Sequence, residues 1–333
     1  MLNRAHVCWD DTVSHNGAIG GIDLGGTKIQ AAVVDAQHEV LGQARRETPA
    51  AGGPQAIVAE MAAALEESSD AAGMETDSLL GVGVGSPGTV DATEGTVAQA
   101  SNLSKWSEPF PLAQRLEEAL GTKVALGNDV QVAVDAEFAL GAASDHDSLL
   151  GVFWGTGVGG GLVLDGKPWL GRGAGAEFGH MVVERGGARC PCGRRGCVEA
   201  YAGRGAMEAR ARKLAGKGRK TVLFEIMEER GRTRLRSGIW SRALDRDDEL
   251  AHELMDRAVD ALGAGIASAV NLLDIGAVVI GGGLGTRLGR PYVKKIEQAM
   301  KPHLFVDERP PEVSLADLGD LGGAIGATLL IAR

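Results

Sequence analysis

The sequence predicts an α/β protein built from two related lobes, and three observations predict it. A strand, a Gly/Thr turn and a second strand occur twice, at 19–34 and 149–164. Around them, short apolar runs alternate with segments of helical period. The chain has 333 residues, 44% hydrophobic and 23% charged, which is ordinary composition for about two globular domains.

Residues 18–23 and 29–35 are apolar strands joined by the turn Leu24-Gly25-Gly26-Thr27-Lys28. Residues 39–46 supply a third strand, and 54–69 a helix with Ile57, Met61 and Leu65 on one face. A strand over 79–85 ends in the turn signal Ser86-Pro87-Gly88, and a helix over 110–120 is stopped by Gly121. The short strand 124–126 precedes a helix over 129–140. The second round opens with the strand 149–154, the Gly-rich turn 155–161 and the strand 162–164. Residues 204–248, rich in Arg, Lys and Glu, read as solvated helices. A long helix follows over 249–273, then a buried strand over 277–280 that runs into the glycines of 281–285, and a closing helix over 321–331. The domain boundaries expected are a flexible leader over 1–16, a small N-terminal α/β lobe over 17–126 completed by the C-terminal helix 321–333, and a larger lobe over 127–320.

The formal net charge of -10 argues against broad nucleic-acid binding, which needs a basic face. Glycine, at 50 residues, is about twice as common as usual and clusters after apolar runs, where it makes tight loops. The first sixteen residues have no apolar core of a signal peptide, and no stretch of about 20 apolar residues suggests a membrane span. A cytoplasmic protein is expected, with Cys8 a free thiol.

Three of the four cysteines, Cys190, Cys192 and Cys197, fall between Glu177 and Glu199, and His180 precedes the first by ten residues. One His and three Cys make a closed tetrahedral zinc site, because zinc takes thiolate and imidazole and asks only for four ligands. Gly193 and Gly196 permit the tight turns between thiolates. A disulfide would leave one of the three cysteines unpaired.

Asp23-Leu24-Gly25-Gly26-Thr27-Lys28 brings together a carboxylate, two glycines, a hydroxyl and an ammonium. Bare glycine N–H groups, Thr27 and Lys28 can hold phosphate oxygens, and Asp23 a hydrated Mg²⁺. The turn at Thr156, Gly157 and Gly159 offers a second cradle, and Gly281-Gly282-Gly283 a third, so the set fits a nucleotide in a cleft between the two lobes. The order is not that of a Walker loop. The Rossmann reading of 157–162 fails because an apolar strand, not a helix, follows the glycines. Asp129 stands where a strand gives way to a helix. It is either that helix's N-cap or the group that accepts a hydroxyl proton in phosphoryl transfer.

Together DLGGTK, GTGVGGG, Gly127-Asn128-Asp129 and EFGH followed by CPCGRRGCVE resemble the ROK family of sugar kinases, over nearly the whole chain from Ile19. The resemblance implies the actin-like ATPase (ribonuclease H-like) fold and an ATP-dependent hexose kinase. Glucose is the first candidate substrate. N-acetylmannosamine, N-acetylglucosamine, mannose, fructose and allose are alternatives, as are a non-catalytic sugar sensor and polyphosphate as donor. It further implies that Asp129 is the base and that Gly88, Asn102, Asn128, Glu177, His180 and Glu199 bind the sugar. His180 then serves zinc with one ring nitrogen and sugar with the other. Mg-ATP, structural Zn²⁺ and a homodimer complete the family's pattern. The segment before Ile19 is too short for the DNA-binding domain of the family's repressors.

Overall fold

The computed structural model describes residues 17–100 and 103–331. The expected leader over 1–16, Cys8 and Asn102 lie outside them. In chain order the elements are β1 (Ile19–Leu24), β2 (Lys28–Val34), β3 (Val40–Glu47), α1 (Gly53–Ala71), β4 (Val82–Ser86), β5 (Thr89–Asp91), β6 (Thr96–Ala98), α2 (Leu112–Leu120), β7 (Val124–Asn128) and α3 (Asp129–Ala139). They continue with β8 (Leu149–Trp154), β9 (Val158–Leu164), β10 (Lys167–Pro168), α4 (Glu199–Ala202), α5 (Arg204–Ala215), α6 (Leu223–Glu229), α7 (Ser237–Asp245), α8 (Glu249–Leu273), β11 (Ala277–Gly281), α9 (Gly282–Met300), β12 (Glu312–Leu315) and α10 (Gly322–Thr328).

The chain forms two compact units. One holds the described residues within 1–144, 166–168 and 317–333, the other 145–165 and 169–316. In the first, the sheet runs β3-β2-β1-β4-β7, with β1–β2 and β2–β3 antiparallel and β1–β4 and β4–β7 parallel. Successive residues of β1 point to opposite faces. A Cβ at Gly20 would meet Leu65 of α1, whereas one at Gly21 would meet the Ala324 carbonyl of α10. Ile57, Met61 and Leu65 bury the first face with Ile22, Ile29 and Val84. On the other, α10 lies against bare backbone: a Cβ at Gly83 would stand 1.7 Å from the Ala327 carbonyl oxygen.

In the second unit the long strands run β9-β8-β11-β12, with β8–β9 antiparallel and β8–β11 and β11–β12 parallel. This repeats the order and sense of β2-β1-β4-β7, so the duplication read from two hairpins extends to four strands in each unit.

Three expectations change. Gly159, Gly160 and Gly161 belong to β9, paired with Phe153, Val152 and Gly151, so the turn is only Gly155-Thr156-Gly157. Glycine is required there by close approach: a Cβ at Gly160 would lie 2.6 Å from the Ala176 carbonyl oxygen. Residues 204–248 are not simply solvated helices. α5, α6 and α7 are charged outside but bury Met207, Leu223, Ile226, Ile239 and Trp240 in the second unit's core. The break expected after residue 126 falls after Ser144, because α3 packs on α10 and the first sheet.

One buried carboxylate reinforces that last boundary. Glu137, 2% exposed, accepts N–H bonds from Ala142 and Asp317 at Oε2 and from Leu318 at Oε1, each 3.0 Å long. Among the described residues, no helix is long and apolar enough to cross a membrane.

Candidate functional site

In the first unit, β1 delivers Asp23 to the β1–β2 turn. That turn closes on itself, with the Gly25 N–H donating to the Lys28 carbonyl at 2.9 Å and the Thr48 hydroxyl to the Gly25 carbonyl at 2.6 Å. Gly25 therefore has no free N–H for a ligand, while Thr27 stays exposed. The Lys28 ammonium sits 3.3 Å from Asp320. Burial, and then the neighbouring Asp129, push the Asp23 carboxyl up to about 7 against the pull of Lys28.

The end of β7 settles the question of the cap. Asn128 is the N-cap of α3: its Oδ1 accepts from the N–H groups of Val130 at 3.1 Å and Gln131 at 3.2 Å. Asp129, the first helical residue, accepts the Val130 N–H at 2.9 Å through Oδ1. Its Oδ2 makes no hydrogen bond to a described residue. Burial raises its carboxyl to about 6. Gly88 follows β4 in a turn at φ 93°, with room for no side chain: a Cβ would stand 2.5 Å from the Ala98 carbonyl oxygen.

In the second unit, His180 ends a short 3-10 turn, and its ring joins the three cysteines. One ligand atom from each of His180, Cys190, Cys192 and Cys197 lies within 4.8 Å of the others. The Cys192 and Cys197 sulfurs are 3.8 Å apart, and the Cys190 sulfur is 3.8 Å from His180 Nδ1. A tetrahedron with Zn–S bonds of about 2.3 Å has S···S edges of about 3.8 Å, so the donor set and its spacing fit zinc. Gly196 shapes the knot, with φ 83° and the Glu184 carbonyl 1.8 Å from where a Cβ would be. The Tyr201 hydroxyl braces it, accepting the Ala188 N–H at 2.7 Å and donating to Glu184 at 2.5 Å.

Around the knot stand the acids named from sequence. His180 Nε2, on the ring edge away from Cys190, is 4.0 Å from Glu177. Glu177, His180, Met181, Cys192 and Arg194 line a shallow open depression. Glu199 joins the knot to the β8–β9 turn: Oε1 lies 3.8 Å from the Cys190 sulfur, and Oε2 accepts the Val158 N–H at 3.0 Å.

The turn itself is stiff. The Gly155 N–H donates to the Gly157 carbonyl at 2.9 Å, and the N–H groups of Arg204 and Gly205 to the carbonyls of Gly155 and Thr156 at 3.2 and 3.0 Å. Thr156 is exposed. Gly281 ends β11, and Gly282, at φ 79°, turns the chain into α9 against the backbone of Trp154. Trp154 itself is fully buried, its Nε1 donating to the Ala202 carbonyl at 2.7 Å. It fills core. Arg204 was missed from sequence, hidden in the charged stretch 204–248. Its only signal was its place at the start of a helix, five residues after Glu199.

The ROK family profile matches residues 19–333. A glucokinase of Thermotoga maritima is 33% identical over 93% of this chain and 96% of its own length. An N-acetylgalactosamine kinase of a Shewanella species is 34% identical over 93% and 95%. The crystal structure of a ROK family glucokinase from Streptomyces griseus, in complex with glucose and AMPPNP, superposes with a TM-score of 0.78 at 32% identity, covering 94% of this chain and 99% of that one.

Proposed function

This chain belongs to the ROK family, and on that premise we propose that it transfers the γ-phosphoryl group of Mg-ATP to the 6-hydroxyl of glucose. The observation that carries the reading is the division of labour at the end of β7. Asn128 takes over helix capping, and Asp129 keeps a carboxylate oxygen free with a carboxyl raised to about 6. A base of that strength is largely ionised at neutral pH yet can hold a proton in passing. Asp129 takes the proton of the 6-hydroxyl as its oxygen bonds to the γ-phosphorus. The bond from that phosphorus to the ADP oxygen breaks, and the products are glucose 6-phosphate and ADP.

Asp23 is the residue that would hold Mg²⁺. A buried carboxylate whose charging cost is raised by the neighbouring Asp129, with Lys28 as the opposing cation, suits a divalent ion. When bound, that ion supplies neutralisation of phosphate charge. Glu177, the outer nitrogen of His180 and Asn128 offer donors and acceptors for sugar hydroxyls, each of which does both. Zinc on His180, Cys190, Cys192 and Cys197 is structural, since four protein ligands leave no open position. The kinship to a glucokinase and to an N-acetylgalactosamine kinase at nearly equal identity makes the sugar the quantity to measure. The test is ADP release with Mg-ATP against glucose, mannose, fructose and the N-acetylhexosamines. A kcat/KM for glucose at least tenfold above the others is expected. Preference for an N-acetylhexosamine would change the substrate, and no turnover with any sugar would overturn the kinase reading.

A further inference from the structure

A guanidinium withdrawn from water normally faces a carboxylate, because leaving the charge unpaired is costly. Arg204 departs from this. It is half-buried, and no carboxylate among the described residues lies within ion-pair distance of it. Its Nη2 donates to the Thr156 hydroxyl at 2.7 Å and its Nη1 to the Ser237 hydroxyl at 2.9 Å, two neutral acceptors. The acid nearby, Glu208, is already engaged by Arg212 at 2.8 Å, Arg234 at 3.1 Å and the Leu235 N–H at 3.0 Å. Arg236 and Arg234 add further positive charge, against the opposing pull of Glu208. A latch between two hydroxyls needs no charge, and a neutral amide would serve at lower desolvation cost. The backbone of Arg204 is also fixed, by its bond to the Gly155 carbonyl. The result is a cation on a fixed backbone, with no carboxylate among the described residues in ion-pair contact, whose fork is aimed at the one exposed hydroxyl of the β8–β9 turn.

We propose that Arg204 grips the donor's phosphates, its guanidinium moving from Thr156 and Ser237 onto phosphate oxygens beside the Thr156 hydroxyl. This rests on the reading of the 155–157 turn as a donor-phosphate loop. A planar fork of N–H donors matches two phosphate oxygens at once, which an ammonium does not. The occupant is a nucleoside di- or triphosphate, and the preference is for its phosphates, not its base.

The test is calorimetric titration of the full chain with adenosine and with ADP, comparing wild type, Arg204→Gln and Arg204→Lys, with melting curves of each. Arg204→Gln should weaken ADP binding about 10- to 100-fold, as expected for a lost charge-assisted hydrogen bond, and leave adenosine binding unchanged. Arg204→Lys should recover part of the loss. Equal weakening of adenosine and ADP would mean that Arg204 only props up the turn, and would overturn the assignment. So would a folded Arg204→Gln that binds ADP as wild type does. If Arg204→Gln does not fold, Arg204→Lys decides: an ADP-over-adenosine preference equal to wild type refutes the grip. A wild-type chain that binds ADP no better than adenosine would remove the phosphate-loop reading itself, and this one with it.

Discussion

Glu137 offers a sharp test of how the first unit is held together. Its carboxylate takes three backbone N–H groups, those of Ala142, Asp317 and Leu318, at 3.0 Å each and almost wholly out of water. In Glu137→Gln the amide oxygen can take the place of Oε2 and keep Ala142 and Asp317. The amide NH₂ then confronts the Leu318 N–H. One bond is lost and one donor is left bare, at a cost of about 1–3 kcal/mol. Glu137→Ala strips all three donors and leaves a cavity, and should cost about 3–5 kcal/mol. Urea unfolding gives the totals, and hydrogen exchange gives the location. Amides of Ala142, Asp317 and Leu318 should exchange faster in both variants, with Leu318 alone strongly affected in Glu137→Gln. Wild-type protection at 317 and 318 in Glu137→Ala would refute the anchoring argument, whatever the change in overall stability.

Asp129→Asn should lower kcat by at least about 10²-fold with little change in sugar affinity, and near-full activity in the folded variant would remove Asp129 as the base. In the wild type, kcat/KM should fall as pH drops below about 6, where the Asp129 carboxyl gains its proton; a flat profile between pH 5 and 8 would contradict this. The Asp23 carboxyl titrates at about 7 when folded against an ordinary 3.8, so its favourable protonated form is complete below 3.8 and is lost as pH rises through 7. Asp23→Asn should therefore raise the melting temperature at pH 8 and lose that advantage near pH 4, and a gain independent of pH would point elsewhere. Cys192→Ser should release zinc and lower both the melting temperature and sugar affinity; purified wild type containing no zinc, yet fully stable, would end the metal reading.

The sequence was most legible where local chemistry and tertiary packing agreed. α8 runs over the predicted 249–273, capped by Asp248, whose side chain accepts the Ala251 N–H at 2.7 Å. α2 stops at Gly121, which takes the left-handed conformation expected of a helix-ending glycine. The His180 and Cys190–Cys197 cluster assembled because its spacing is local. The misreadings share a cause, the effect of neighbours distant in sequence. Gly159–Gly161 resembled a loop because glycine is a poor strand former, yet they pair with β8, and Ala176 and Phe178 crowd Gly160 so closely that no side chain fits there. The face that α5, α6 and α7 bury in the second unit's core was invisible among charges that cover the other face. Arg204 was unreadable for the same reason: only the fold shows that its guanidinium meets two hydroxyls and, among the described residues, no carboxylate at ion-pair distance.

Because α10 follows β12 in the chain but packs in the first unit, the first unit cannot mature ahead of the second. Glu137 must wait for Asp317, 180 residues downstream, and Ile19 and Val34 must wait for Ile325. On a ribosome the second unit is therefore threaded through the making of the first. Until residues 322–328 emerge, β1 and β4 present one bare, glycine-lined face, the kind of surface that chaperones hold and that nascent chains misuse for pairing. A chain halted at 316 has every residue named here for phosphoryl transfer and still lacks the helix that closes over Asp23, since Gly323 stands close enough that a Cβ there would touch its carboxylate.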